Sequence, residues 1–292
     1  MDAVVSALRV YPVKSCRGLA LDCSAVEPRG LRHDRRWMLV DDQGTFVTQR
    51  TFPTLAQVEV ALVATAATAT TAATATTAAT GGVLPRDPDA LLLRAPGVPE
   101  LRVPTLPSEG AARRRVTVWR DQVEAIDCGP DAADWFSAWL RTRVALVFMP
   151  DAALRPVNPK YALADDIVGF ADGYPLLVAS SSSLDDLNAR MGAPLPMDRF
   201  RPNIVIRGTA AWAEDTWRRI RVGDLTIRVT KPCSRCVVTT TDQVTAERGV
   251  EPMRTLARFR RVDNEVMFAQ NAVPDGPGVI AVGDPVTILE RR

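Results

Sequence analysis

Apolar and polar positions alternate in short runs along most of this chain, and few stretches carry the spacing of a helix. Residues 3–10, AVVSALRV, read as a strand. YPVKSCRG follows, where Pro12 holds Tyr11 extended and Gly18 supplies a turn, so Lys14 and Ser15 fall on a loop at the strand end. A second β-like run over 19–26 leads to the turn Pro28-Arg29-Gly30. HDRRWMLVD then puts Arg35 at the start of a strand ending at the hairpin signal Asp41-Asp42-Gln43-Gly44, and residues 46–49 pair back. The opening 60 residues read as a small antiparallel β-domain.

Residues 61–82, ALVATAATATTAATATTAATGG, have low complexity and no apolar period beyond alanine, and threonine weakens the helix alanine favours. The stretch, about 63–82, reads as a mobile insertion between strands. Strand-like runs resume at 91–93 and 101–103, and 115–119 with 123–126 form a hairpin around Asp121. Asp127 is positioned to cap a helix beginning near Pro130, with Trp135, Phe136, Trp139 and Leu140 on one core-facing side. DGYPLLVASSSSLDDLNARM gives a loop carrying Asp172 and Tyr174, a short strand, and a helix capped within the serine run. Arg201, Pro202 and Asn203 precede an apolar strand over 204–206. A hairpin through Gly223-Asp224 then enters KPCSRCVVTTTD, where 237–241 read as a strand and the two cysteines lie on a bend between strands. The fold class is a β-rich α+β protein whose sheets curl into barrels, divided into domains 1–127 and 128–292.

Composition narrows the function. With 47% hydrophobic and 24% charged residues the chain is an ordinary soluble globular protein. A net charge of +2 gives no case for nucleic acid, and the run Arg113, Arg114, Arg115 reads as a solvated turn. No apolar run is long enough to span a bilayer and no secretory leader is visible, so a cytoplasmic protein without a membrane span is expected. Five cysteines, Cys16, Cys23, Cys128, Cys233 and Cys236, are too few and odd in number for a disulfide framework, which favours reduced thiols.

Four readings of the Cys233/Cys236 pair stay open. A structural zinc site lacks its other half, since no second close cysteine pair exists and the single His33 is distant. A redox dithiol wants a helix N-terminus, whereas β-branched residues follow here. Both cysteines could be small core residues. The last is one thiolate ligating a redox metal while nearby cations hold an anionic cofactor. Lys14 with Ser15, Arg35, Arg201 with Asn203, and Arg235 all fall at strand ends, and a phosphate-bearing cofactor needs such cations and hydroxyls converging from different strands.

YPVKSCRG, DRRWMLVD, FADGYPLL with SLDDLN, FRPNIVI, KPCSRCVVTTTD, FAQN and VGDPV together resemble the two-domain proteins with an N-terminal MOSC β-barrel and a C-terminal MOSC domain, among them the mitochondrial amidoxime reducing component and its bacterial relatives. The resemblance covers nearly the whole chain apart from the Ala/Thr insertion. It implies a molybdenum cofactor, with Cys236 as the protein ligand to the metal and Cys233 at a packing position. It further implies that Lys14, Ser15 and Arg35 hold the pterin phosphate and ring. Asp172 and Tyr174 would approach the metal side, and Arg201, Asn203, Ser234 and Arg235 would complete the pocket. Asn271 stands where a compared relative has tyrosine, and Tyr174 where it has a small hydroxyl residue. The implied chemistry is reduction of N-hydroxylated compounds, with Asp172 passing protons. Electrons would come from a separate ferredoxin- or reductase-like protein, since no four-cysteine iron–sulfur spacing is present. The alternative is a cofactor carrier or sulfur-handling MOSC protein. That fold also occurs in molybdenum cofactor sulfurases beside a pyridoxal phosphate domain, and no such segment is evident here.

Overall fold

The structure is a computed structural model and describes residues 2–64, 82 and 88–292. The Ala/Thr insertion lies almost wholly outside the described residues. The described residues are β-rich with three short α-helices, as the alternating pattern predicts. A large sheet runs in the order Val286–Arg291, Trp217–Val222, Leu225–Arg235, Glu265–Pro274, Leu176–Ser180, Ile204–Arg207, Val4–Val10 and Leu19–Leu21. Its pairings are antiparallel except for Leu176–Ser180 with Ile204–Arg207, which run parallel because helix Ser181–Ala189 crosses over between them. Three smaller sheets surround it. No helix among the described residues is long and apolar enough to cross a membrane.

Several local expectations change. The opening 60 residues do not form a sheet of their own. Val4–Val10 joins the large sheet through Ile204–Arg207, Cys23–Glu27 pairs with Gly278–Ala281, Trp37–Val40 with Ala145–Phe148, and Glu59–Val63 with Ala90–Ala95. Each of these strands takes a hydrogen-bonding partner from beyond the opening 60 residues, a choice alternation alone cannot make, while Val4–Val10 also keeps the nearby Leu19–Leu21. The run over 19–26 breaks at Asp22 into Leu19–Leu21 and Cys23–Glu27. Asp127 sits three residues before its helix, Pro130–Leu140, and accepts the backbone N–H of Gly129, the N-cap, at 2.8 Å. On that helix Phe136 and Leu140 are buried, while Trp135 and Trp139 only pack against the core from its edge. Ser180 stands at the N-cap of Ser181–Ala189 without capping it, its hydroxyl being shared with Thr209 at 3.1 Å.

The largest change falls on the cysteine stretch. Leu225–Arg235 continues as one strand past Val229, taking in Cys233, and Cys236 follows its end. Residues Val237–Thr240 are a turn of 3-10 helix instead of a strand. The threonines decide it: Thr239 and Thr240 turn their hydroxyls back onto the carbonyls of Cys236 and Val237, at 3.0 and 2.8 Å. This local bonding competes with the sheet that β-branching favours.

Candidate functional site

All eleven residues named from the sequence line one cavity of about 490 Å³. It opens between the loop after Val4–Val10, the loop before Leu176–Ser180, and the end of Leu225–Arg235. Six cationic side chains face it, Lys14, Arg35, Arg50, Arg201, Lys231 and Arg235, against one carboxylate, Asp172.

Lys14 is placed by its backbone, whose N–H donates to the Trp37 carbonyl at 2.8 Å. Its ammonium donates to the Phe170 carbonyl at 2.7 Å and to Asp172 Oδ1 at 2.5 Å. Burial pushes Lys14 down to about 8, against the opposing pull of Asp172. On the other side, Arg50 donates to Asp172 Oδ2 at 3.0 Å, lies 4.6 Å from the Trp119 ring centre, and reaches Cys236. Burial works to raise the Asp172 pKa, but the Lys14 and Arg50 charges and hydrogen bonds outweigh it and hold the carboxyl well below the usual range. An ion pair of this kind is a poor proton donor at neutral pH. The loop itself is fixed by Arg155, 3% exposed in its side chain, which donates to the carbonyls of Gly169, Ala171 and Asp172.

Arg35 and Arg201 both adopt positive φ, 47° and 56°, and both lie against Tyr11, 4.3 and 4.2 Å from its ring centre. Arg35 is neutralised by Asp34 at 2.5 Å. Arg201 has no carboxylate partner among the described residues, and its Nη2 is buried without a hydrogen bond. Burial, helped by the Arg35 charge, brings Arg201 down to about 10, so it remains a cation at neutral pH. Asn203 spends its side chain on the protein: Oδ1 accepts from Leu177 N and Arg35 Nη1, and Nδ2 donates to the Arg9 carbonyl. It therefore sets the cavity wall by holding Arg35 and two strands in place.

Arg235 donates from Nη1 to Cys233 Sγ at 2.9 Å and from Nη2 to the Phe200 carbonyl at 2.8 Å, leaving Nε buried and unpartnered. Cys233 thus faces the cavity with its neighbour instead of only packing. Behind Cys236, Arg199 clamps the 3-10 turn by donating to the Thr240 carbonyl and to Asp242. Ser15, Ser234 and Asn271 lie along the wall, and Asn271 Nδ2 reaches the Pro232 carbonyl at 3.4 Å. Among the described residues no three His, Cys, Asp or Glu side chains converge as a metal-ligand set.

Residues 2–143 match the MOSC N-terminal beta barrel domain and residues 165–287 match the MOSC domain. The chain belongs to the MOSC family. Curated MOSC relatives include mitochondrial amidoxime-reducing component 1 of Mus musculus, 30% identical over 98% of this chain and 82% of that one. The Homo sapiens protein of the same name is 31% identical over the same shares, and mitochondrial amidoxime reducing component 2 of Bos taurus is 31% identical over 97% and 82%. The solved YUAD protein from Bacillus subtilis covers 98% of this chain and 94% of its own at 10% identity, with a TM-score of 0.42, too loose a likeness to add weight.

Sequence reasoning missed Arg50, Arg155, Arg199 and Trp119. Arg50 and Trp119 stand at predicted strand ends but carry no motif that ties them to the cysteine stretch, and Arg155 lies in a proline-rich stretch whose path is set only by tertiary contacts. Lys231 carried a signal, being one of only three lysines in the chain.

Proposed function

We propose that this protein is a molybdenum cofactor-dependent oxidoreductase that reduces N-hydroxylated compounds, namely amidoximes, hydroxylamines and N-hydroxy bases. The carrying observation is Cys236 at the wall of a cavity where Arg201 Nη2 and Arg235 Nε are buried without partners. Buried guanidinium nitrogens left unsatisfied are expensive unless an anion meets them, so this donor set fits a phosphate-bearing pterin. Relatives named for amidoxime reduction, at about 30% identity over nearly the whole chain, support the same assignment.

Lys14, Ser15, Arg35, Arg201 and Arg235 would hold the cofactor, with Ser234, Asn271, Asp172 and Tyr174 along its edges and Cys236 as the one protein ligand to the metal. When bound, the cofactor supplies the two-electron chemistry by which an N–OH group and two protons become N–H and water. The chain's own part is to bind, orient and handle protons. Lys14 keeps its third N–H for the cavity, and its lowered pKa makes it the group that holds an exchangeable proton there. Asp172 acts by keeping that ammonium in place, which replaces the role of acid expected of it. Residues 1–127 and 128–292 would serve as barrel and cofactor-binding domains, and Lys14, Arg35 and Arg50 bring the first into the site of the second. Electrons would come from a separate ferredoxin- or reductase-like protein, in the cytoplasm.

The test is metal analysis of wild type and Cys236→Ser after expression in a cofactor-competent host, with benzamidoxime reduction by an artificial donor. Wild type should carry molybdenum and reduce benzamidoxime, and Cys236→Ser should lose both. Absence of molybdenum from wild type, or equal metal and activity in Cys236→Ser, defeats the proposal. Molybdenum without reduction would favour a carrier or sulfur-handling role.

A further inference from the structure

Lys231 is a cavity cation that has no carboxylate partner among the described residues and that the proposed cofactor set leaves over. Lys14 and Arg50 share Asp172, and Arg35 pairs with Asp34. Arg201 and Arg235 carry the two unpartnered nitrogens assigned to the cofactor. Lys231 forms no ion pair among the described residues. Its ammonium instead lies 5.1 Å from the ring centre of Tyr161.

The position is built. A bulge interrupts the pairing of Leu225–Arg235 with Glu265–Pro274 between Val229 and Lys231, bringing Lys231 opposite Asn271, and bulges beside sites commonly re-aim side chains. Tyr174, half-buried, lines the same cavity, and Thr230 and Tyr161 lie near it. The Lys231 ammonium and the Tyr174 phenol share that wall of the cavity, and both can donate hydrogen bonds. Val238 and Trp119 add apolar surface in the same cavity for the body of a ligand. A neutral substrate would need none of these donors, whereas a carboxylate would use them all.

We infer that Lys231, seated on the Tyr161 ring, and Tyr174 form a subsite for a carboxylate carried by the substrate, so that the physiological substrate is an N-hydroxylated carboxylic acid. The N-hydroxylated part of this statement rests on the reductase proposal, while the carboxylate part rests on the subsite alone.

Equilibrium binding to the full-length protein, read by calorimetry without turnover, tests it with two probes, benzamidoxime and 4-carboxybenzamidoxime. A charged hydrogen bond of this kind corresponds to about tenfold in affinity, so wild type should bind the carboxylated probe about tenfold more tightly. Lys231→Gln should remove most of that preference and Lys231→Arg should keep most of it. Equal affinities in wild type, no binding of the carboxylated probe, or an unchanged preference in folded Lys231→Gln overturns the subsite. Turnover is scored separately on the cofactor-loaded enzyme. A carboxylate preference in binding with no reduction of either probe would leave the subsite standing and remove the reductase proposal. Reduction of both probes without a binding preference would do the reverse.

Discussion

The Arg201 guanidinium lies 4.2 Å from the centre of the Tyr11 ring, which it shares with Arg35 at 4.3 Å. Two like charges so close repel, and the electron-rich ring face between the arginines and the Asp34 carboxylate offsets this. Tyr11 is 1% exposed, and its hydroxyl donates to the Pro202 carbonyl at 3.2 Å. Tyr11→Phe keeps the stack and should cost about 1 kcal/mol of unfolding free energy. Tyr11→Leu loses the ring and should cost about 2–3 kcal/mol. Urea unfolding of the two variants checks the order.

Gly30 has φ +100° and a Cβ there would stand 2.2 Å from the Pro175 carbonyl oxygen, in the loop that carries Tyr174. Gly97 has φ +75° with nothing within 4 Å. Gly97→Ala should therefore cost only the left-handed backbone, about 1 kcal/mol. Gly30→Ala should cost about 3 kcal/mol, because backbone must move as well. Melting curves of both variants separate strain from clash.

Arg155 satisfies three backbone carbonyls at once. Truncation to alanine leaves buried acceptors unmet and frees the Asp172 loop, so Arg155→Ala should lose about 2–4 kcal/mol in stability. Amide hydrogen exchange should show the loss of protection concentrated over residues 169–173.

Asp172 is held ionised in the folded state, so below about pH 4 the unfolded chain binds more protons than the folded one and stability falls with pH. Asp172→Asn lacks that carboxylate and should show a shallower acid decline in cofactor-free protein. The same substitution removes the group that raises Lys14, leaving burial and the Arg155 and Arg50 charges to lower it further. The pH profile of Lys14 amine labelling should then shift below its wild-type midpoint near 8.

Much of the architecture was legible before any coordinates. Strand alternation marked Val4–Val10 and the hairpins around Asp121 and Gly223-Asp224, because a half-buried strand must write its two faces into the chain with a period of two, and a continuous apolar run marked the fully buried start of Ile204–Arg207. Partner choice was not legible: the early strands were assigned to one another and belong to four different sheets, since hydrogen bonding to a neighbour leaves no mark in either strand's own pattern. The threonines after Cys236 were misread for a related reason. Their hydroxyls bond locally, and β-propensity describes a packed sheet face they never reach.

By itself the sequence determined the residue types the site would use: cysteine beside arginine in KPCSRC, lysine and serine in YPVKSC, and arginine before asparagine in FRPN. Only the tertiary structure decided their states. It placed Asp172 between Lys14 and Arg50 as a fixed carboxylate, turned Arg235 toward Cys233, spent Asn203 inside the wall, and left Arg201 and Lys231 without a carboxylate partner among the described residues. Charge and protonation depend on distance and burial, and those are fixed only when segments more than a hundred residues apart meet across the cavity.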